Sequence, residues 1–345
     1  MRAALARRLE SDRDPGVPAR LLSALWSAVS ARGIARPLVL APGIRTIGVG
    51  GALLGGSCKT PFAIALAQAL AARGVDVALV GHAYRARPGR ARVVCPNDDV
   101  AEVGDDALFA ARRLAAANID VIVAASRQEA ADFAARRSRC LIFDGLLQAR
   151  PVRLARSILL LDGAGVWEGG HCPPAGDLRA PRDALLRATD VAIAVHDELR
   201  SADAVSHLDR ASYADGSTVR LSEWRGAALG LLLTVARPQR VVDALARRGI
   251  HPATTSAFPD HHRPTPAELA QAARAPRRVD AWLTTGKCAT KLPSSLAGAP
   301  VLVLEHEVRV SGRLVTWAAS EDAGEERIFP TAPAHALFPN AGALG

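Results

Sequence analysis

Lysine is almost absent from this 345-residue chain, in which all but three of the 43 basic residues are arginine. A compact ammonium and a planar guanidinium suit different tasks, so a lysine kept against this bias is expected to do what arginine cannot, such as reach between phosphate groups. The three lysines are Lys59, Lys287 and Lys291. Lys59 lies in a glycine-rich stretch and is therefore the first candidate for a functional residue.

Aromatic residues are also scarce, at 4% of the chain, and the arginines are scattered along it. The formal net charge of +9 predicts an anionic partner, such as a phospholipid surface or a phosphorylated ligand. Nucleic acid is not the expected partner, because base stacking needs aromatic side chains interleaved with the cations.

The five cysteines form no CxxC pair and no zinc-binding spacing, which fits a reducing cytoplasm better than a disulfide framework. No signal-peptide core follows the early arginines, and no run approaches the roughly 18 apolar residues of a membrane span. With 49% hydrophobic and 22% charged residues, the composition is that of a globular protein long enough for two domains.

Residues 17–32 have the apolar spacing of an amphipathic helix. One predicted face carries Leu21, Leu22, Leu25, Trp26 and Val29. Two interpretations fit this pattern: a helix packed on its own domain, or an interfacial helix that is flanked by arginines and lies in a membrane surface.

Strands and helices alternate after this segment. The predicted strands are 46–49, 75–80, 120–124, 140–143 and 191–195, and the predicted helices are 59–73, 105–117 and 128–137. This alternation predicts an α/β fold with a doubly wound, mostly parallel sheet, and a second alternating run begins at about residue 228. We therefore expect an N-terminal amphipathic segment at 1–36, a larger α/β domain at 37–210 and a smaller α/β domain at 211–345.

The stretch GGSCKT has the context of a phosphate-binding loop, since a strand leads into it and a helix begins at its lysine. In such a loop the backbone N–H groups hold phosphate, the lysine reaches the terminal phosphates and the threonine hydroxyl ligates Mg²⁺. The residues predicted to bind ATP are Gly55, Gly56, Ser57, Cys58, Lys59 and Thr60. Cys58 stands where a glycine with positive φ is common. A tight turn with an incidental lysine is the alternative.

Asp144 ends the apolar strand CLIF, at the sheet edge where α/β proteins bind ligands. An aspartate in this place is a turn or cap residue or, beside a phosphate loop, a partner of Mg²⁺. Asp105 and Asp106 open a predicted helix, where capping is the ordinary role of such residues.

Asp260, His261 and His262 follow a predicted strand of the second domain. Adjacent histidines suggest a metal site, but no further ligand has suitable local spacing. An Asp–His dyad assembled across the two domains would instead accept the proton of an alcohol nucleophile.

These segments, in this order, resemble the tetraacyldisaccharide 4′-kinase family of Gram-negative bacteria. The family's VGNLTVGGTGKTP is matched by VGGALLGGSCKTP, GDEPLL by GDDALF, DDGLQH by FDGLLQ, LPAGPLREP by PPAGDLRAP, GIARPERF by TVARPQRV and LTTEKDAVKL by LTTGKCATKL, while FPDHH is retained. The similarity covers residues 17–305, and its collinear order is more specific than any single motif.

The resemblance implies transfer of the ATP γ-phosphate to the 4′-hydroxyl of a tetraacyldisaccharide 1-phosphate, giving lipid IVA, at the cytoplasmic face of the inner membrane. Its implied cofactors are ATP and Mg²⁺. It also implies that residues 1–36 form a membrane-associated segment and residues 37–210 a P-loop NTPase-like kinase domain. The implied roles are phosphate and metal binding by Lys59 and Thr60, metal binding by Asp144, base catalysis by Asp105 with His261 as its partner, and phosphate or head-group binding by Arg179.

The chain departs from the family pattern at several positions, some of them acidic in the family: His82, Cys58, Phe143, Ala180, Gly286 and Cys288. Two interpretations follow, an active but divergent kinase and a non-catalytic lipid-binding or regulatory homologue at the inner membrane. The joint retention of Lys59, Thr60, Asp105, Asp144 and His261 favours the active kinase. An unrelated P-loop ATPase would leave the PAGDLR and FPDHH segments unexplained.

Overall fold

The computed structural model describes residues 16–162, 167, 170–197, 203–274 and 278–320. Parts of the predicted segments 1–36 and 211–345 therefore lie outside the described residues. Among the helices that are described, none is long and apolar enough to cross a lipid bilayer.

The first described element is helix α1 (Gly16–Arg32), which agrees with the helix predicted from the sequence. Its polar side contacts the rest of the protein, because Ser23 is buried and donates a hydrogen bond of 2.7 Å to the carbonyl of Cys172. The five apolar residues of the predicted face are 48–68% exposed. The apolar face of α1 therefore does not pack on the described part of the chain.

A mostly parallel sheet forms the N-terminal half of the fold, as the alternating pattern predicted. Its strands are β2 (Arg45–Gly51), β3 (Val77–Val80), β4 (Arg92–Val93), β5 (Val121–Val123), β6 (Cys140–Asp144), β8 (Arg156–Asp162) and β9 (Val191–Asp197). A separate small sheet pairs β1 (Ala35–Leu38) with β7 (Gln148–Pro151). In the large sheet these strands are ordered β9–β8–β2–β6–β3–β5–β4, and only β4 runs antiparallel to its neighbour.

Helices cover both faces of this sheet. They are α2 (Lys59–Ala71), α3 (Val100–Val103), α4 (Asp105–Leu114), α5 (Arg127–Ala135) and α6 (Arg182–Arg187). Alternate residues of a strand point to opposite faces, so Ile142 of β6 joins the core under α2 and α4 while Phe143 joins the core under α5. Strands buried on both faces explain the unbroken apolar run that precedes Asp144.

The C-terminal half continues the same sheet. Its elements are β10 (Ala204–Ser212), β11 (Thr218–Arg220), β12 (Leu229–Leu233), α7 (Pro238–Ala246), β13 (Thr254–Ala257), α8 (Pro266–Ala272), β14 (Ala281–Thr285), α9 (Gly286–Ala289), β15 (Ser295–Leu296), β16 (Ala299–Val310) and α10 (Gly312–Ala319). Strand β10 pairs with β9 on one side and β16 on the other, which joins both halves in one sheet that has 14 strands among the described residues.

The C-terminal half has hydrophobic cores of its own, built around residues such as Leu231, Leu283, Leu302 and Trp282. Strand β10 crosses the predicted boundary between residues 210 and 211, and helix α10 returns to the core of the first half through Leu314. The division of the chain at these residue numbers stays a prediction.

Candidate active site

The loop between β2 and α2 has a backbone conformation suited to phosphate. Gly55 and Gly56 have φ of 92° and 69°, and Cys58 has φ 51° and ψ 24°, in the left-handed region. Helix α2 begins at the next residue, Lys59, so its free N–H groups face the loop, as at helix ends that bind anions. The expected positive φ at position 58 is confirmed, and a cysteine there carries about 1–2 kcal/mol of strain.

The loop also has a polar side-chain atom that is available to bind a ligand. Ser57 is buried, and among the described residues its hydroxyl has no hydrogen-bond partner. The loop packs tightly beside β2, because a Cβ added to Gly51 would lie 2.7 Å from the Ser57 side chain. Buried hydroxyls are normally paired, so an orphaned one at the N-terminus of a helix fits a phosphate oxygen.

Thr60 and Asp144 meet at the end of the sheet. Parallel pairing of β2 with β6 places Asp144 opposite Val49, and the Thr60 hydroxyl donates a hydrogen bond of 2.5 Å to Asp144 Oδ2. Burial and the charge of Asp106 raise the pKa of Asp144, against the opposing effect of the Thr60 hydrogen bond. A hydroxyl and a carboxylate side by side form an oxygen donor set that suits Mg²⁺, so the predicted metal residues fit the ion.

Cationic side chains surround this end of the sheet. Burial and the charge of Arg179 lower the pKa of Lys59, while Asp144 raises it. Arg127 donates to the carbonyls of Asp144 and Gly145 at 3.2 and 3.3 Å, and burial lowers its pKa to about 10. These groups create a positive potential suited to polyphosphate.

Arg179 lies beside the same loop, as expected. Its backbone N–H donates to the carbonyl of Ala52 at 2.8 Å, and burial together with Arg36 lowers its pKa. Its Nε is buried and has no hydrogen-bond partner in the described part of the chain. An unpaired guanidinium nitrogen among other cations fits an anionic ligand.

The predicted Asp–His dyad is assembled across 156 positions of sequence. His261 Nδ1 lies 2.7 Å from Asp105 Oδ1, and the Asp105 side chain is 4% exposed. Asp105 is the first residue of α4, and the loop after β13 presents His261 with a left-handed φ of 59°. Burial raises the pKa of Asp105, but the His261 hydrogen bond and the charges of Lys287 and Lys291 outweigh it, so the pKa lies below its usual range.

Two lysine side chains contact the dyad, and the sequence predicted a role for neither. Lys287 Nζ lies 3.2 Å from Asp106 Oδ1, 3.3 Å from His261 Nε2 and 3.7 Å from Asp260 Oδ1. Lys291 Nζ contacts Asp105 Oδ2. Burial lowers the pKa of Lys287, but the neighbouring aspartates more than reverse this and raise it. The scarcity of lysine was the signal that could have identified both residues.

Asp105, Asp106 and His261 offer oxygen and nitrogen atoms within 4.8 Å of one another, a spacing that metal sites use. The ammonium groups of Lys287 and Lys291 contact these same side chains and already neutralise the two carboxylates. We therefore assign no metal ion to this cluster.

The C-terminal half contacts the phosphate loop directly. Arg240 Nη1 donates to the carbonyl of Gly56 at 2.8 Å, and a Cβ added to Gly56 would lie 2.9 Å from Cδ of Arg237. Arg237 forms a buried ion pair with Asp177, in the segment that also carries Arg179. Sequence reasoning did not find this contact.

The residues that depart from the family pattern lie in well-packed positions. Phe143 and Ala180 are buried among apolar residues. Cys288 is buried, and its sulfur accepts hydrogen bonds from the Thr234 backbone at 3.2 Å and the Thr285 hydroxyl at 3.1 Å. These positions serve packing and leave Thr60 and Asp144 as the oxygen donors at the loop.

Two further departures lie closer to the dyad. A side chain at Gly286 would overlap the ring of Phe109, so the aromatic ring fills that space. His82 lies with its ring edge-on to Tyr84, which in turn packs against the His261 ring at a centroid distance of 4.8 Å. His82 therefore borders the site through an aromatic contact.

Comparison with known proteins gives a consistent result. The family model described as tetraacyldisaccharide-1-P 4′-kinase matches residues 18–320. The tetraacyldisaccharide 4′-kinase of Methylobacterium nodulans is 36% identical over 316 residues, covering 86% of this chain and 88% of that protein. That of Anaeromyxobacter sp. (strain K) is 32% identical over 343 residues, covering 92% and 89%.

Among solved structures, LpxK from Aquifex aeolicus in complex with ATP aligns with a TM-score of 0.62 at 20% identity. The alignment covers 86% of this chain and 96% of that chain, which shows a common fold. With a family match over most of its length and relatives above 30% identity, the chain belongs to the tetraacyldisaccharide 4′-kinase family.

Proposed function

We propose that this chain transfers the γ-phosphoryl group of ATP to the 4′-hydroxyl of a tetraacyldisaccharide 1-phosphate, the lipid A precursor, at a membrane surface. The observation that carries the proposal is the presence of a phosphate loop and an Asp–His dyad at one site. Asp106, next to the dyad residue Asp105, is close enough to raise the pKa of Asp144 at the loop. A nucleotide on the loop and a hydroxyl at the dyad would therefore be neighbours.

Each side chain has a defined task in this proposal. The Lys59 ammonium and the N–H groups at the start of α2 hold the phosphates, and Thr60 and Asp144 would hold Mg²⁺. The Asp105 carboxylate, in contact with His261, accepts the proton of the attacking hydroxyl. Held by these two residues, Mg²⁺ would supply positive charge to neutralise the transferring phosphoryl group, as in other phosphotransferases.

The cationic groups near the loop account for selection of an anionic substrate. Arg127 lies at the carbonyl of Asp144, whereas Arg179 lies beside the loop and has a buried Nε that is unpaired in the described part of the chain. A phosphate group of the phosphorylated disaccharide would supply the anionic hydrogen-bond acceptor that this nitrogen lacks. Arg179 is therefore the proposed contact for a phosphate of ATP or of the lipid head group.

The membrane surface is the second part of the proposal, and helix α1 supports it. The five apolar side chains of its predicted face are exposed, with Leu21, Leu25 and Val29 at 68%, 65% and 62%. A net charge of +9 adds attraction to anionic lipids. We place the protein at the cytoplasmic face of the inner membrane, where ATP and an acylated sugar can meet.

A kinase assay tests the proposed function. The full chain is incubated with tetraacyldisaccharide 1-phosphate, Mg²⁺ and labelled ATP, and the lipids are separated by thin-layer chromatography. The expected result is a bis-phosphorylated product that is absent with Lys59→Ala. Lack of product with the wild type, under conditions in which a curated relative is active, would overturn the kinase proposal in favour of a non-catalytic lipid-binding homologue.

A further inference from the structure

Lys291 is the more enclosed of the two lysines at the dyad. Its side chain is 2% exposed, compared with 21% for Lys287, and its ammonium contacts Asp105 Oδ2. The backbone N–H of Lys291 donates to the carbonyl of Cys288 at 3.0 Å, in the turn that follows α9. The turn thus brings a residue 186 positions away in sequence to the start of α4.

The Asp105 carboxylate is held at both of its oxygens. Oδ1 lies 2.7 Å from His261 Nδ1 and accepts the Asp106 backbone N–H at 3.0 Å, while Oδ2 faces Lys291. A carboxylate bound in this way cannot rotate without losing a charged partner. Lys291 therefore restrains the orientation in which the carboxylate meets the imidazole.

The two lysines have different contacts. Lys287 lies against Asp106, Asp260 and His261 Nε2, on the far side of the imidazole from Asp105. Lys291 supplies the ammonium in direct contact with Asp105. Loss of Lys291 would remove the direct cationic contact of Asp105 Oδ2, whereas Lys287 would still act on Asp105 through its charge.

A planar guanidinium would not serve the same purpose. The chain uses arginine for nearly all its basic residues, yet a lysine reaches this enclosed carboxylate. An ammonium is a compact point charge with rotatable donors, whereas a guanidinium needs space for a planar fork. Both side chains of the pair are at most 4% exposed, which leaves little room for the larger group.

We propose that Lys291 is a positioning residue for phosphoryl transfer, which holds the Asp105 carboxylate in the orientation that engages His261. This proposal rests on the proposed function for its kinetic consequence. The contact between Lys291 and Asp105 can be tested without turnover.

The first test is spectroscopic and uses the full chain labelled with ¹³Cε-lysine. With three lysines in the sequence, three side-chain signals are expected, assigned by Lys59→Arg, Lys287→Arg and Lys291→Met. Asp105→Asn should shift the Lys291 signal, and Asp203→Asn, at a carboxylate paired with Arg313, should shift none. A Lys291 signal that is unchanged by Asp105→Asn in a folded protein would overturn the proposal.

The second test separates positioning from stability. Lys291→Met should lower kcat by about 10²-fold, the cost of a misplaced catalytic group, with the KM for ATP unchanged. Arg313→Met is the matched control, because it removes a cation from Asp203, a carboxylate that is also buried but lies outside the site. That variant should keep kcat.

Lys291→Gln keeps an N–H donor without the charge and replaces Lys291→Met if the latter does not fold. Equal kcat in the wild type and a folded Lys291 variant would contradict the positioning role. If the wild type itself has no kinase activity, the proposed function fails, and the ¹³C signals still decide whether Lys291 holds Asp105.

Discussion

Arg237 and Asp177 form an ion pair in which the side chains are only 7% and 8% exposed. The pair links the segment that carries Arg179 to the C-terminal half of the sheet. The same arginine packs against Gly56, so one side chain connects both halves of the protein to the phosphate loop.

Arg237→Met should destabilise the protein by about 3–5 kcal/mol, because it leaves the Asp177 carboxylate buried without its cation. The double variant Asp177→Leu/Arg237→Met should recover much of that loss, because neither charge then remains. Urea unfolding of the wild type and the variants measures this difference. A single variant as stable as the wild type would show that the pair contributes nothing.

Cys58→Gly should strengthen binding of ATP with Mg²⁺, by up to about tenfold, because glycine adopts the left-handed conformation without the penalty of about 1–2 kcal/mol. Cys58→Ala is the matched control, since alanine keeps the Cβ and should bind like the wild type. Isothermal titration gives the three dissociation constants. Equal affinities for the glycine and alanine variants would mean that the backbone conformation at residue 58 does not limit binding.

Removal of either member of the dyad should lower kcat by about 10²–10⁴-fold, the usual contribution of a proton-transfer group. The variants are Asp105→Asn and His261→Ala, and the affinity for ATP should change little in both. Because the two side chains act as one unit, the double variant should be scarcely slower than the slower single variant. Steady-state kinetics at saturating ATP distinguish this result from additive losses, which would indicate independent roles.

Acid should reduce the stability contribution of Asp105. Its pKa is lowered in the fold, so the ionised carboxylate stabilises the protein above the ordinary aspartate pKa, and this stabilisation is lost as the pH falls toward the folded value. The thermal midpoint of Asp105→Asn should therefore lie below that of the wild type at pH 7, by a margin that narrows at pH 3. A difference in thermal midpoint that did not change with pH would contradict the lowered pKa of Asp105.

The exposed face of α1 should bind lipid. The wild type is expected to sediment with anionic liposomes, and less so at high salt. Deletion of residues 1–33 should release the protein and leave a folded core, and Leu21→Asp/Leu25→Asp should also release it. If the deletion variant bound liposomes as well as the full chain, α1 would not be the membrane anchor.

Local sequence patterns were sufficient for much of the fold and for the contact between Thr60 and Asp144. A strand, a glycine-rich loop and Lys59 predict the start of α2, and the apolar run before Asp144 predicts a buried strand. Parallel strands end at one edge of a sheet, so these residues were expected to meet there. The pairing of Asp105 with His261 was predicted from the family resemblance.

Contacts between distant segments could not be predicted in this way. Nothing in the local pattern pairs Asp177 with Arg237 or Lys291 with Asp105, because these contacts depend on how loops from both halves converge. The packing of α1 could not be predicted from the local pattern either. Ser23 belongs to the polar face of this helix, yet its hydroxyl makes a buried contact with the Cys172 carbonyl. The joining of both halves through β10 likewise depends on long-range strand pairing.

The placement of all three lysines at one site confines lysine modification to that site. Apart from the amino group of Met1, the chain has no other primary amine that an acylating or carbamylating reagent could modify. Lys59, Lys287 and Lys291 all lie at the phosphate loop or the dyad, so covalent coupling through lysine would act on the site itself. Of the two lysines at the dyad, Lys287 is 21% exposed and Lys291 only 2%, so an amine reagent would reach Lys287 before Lys291.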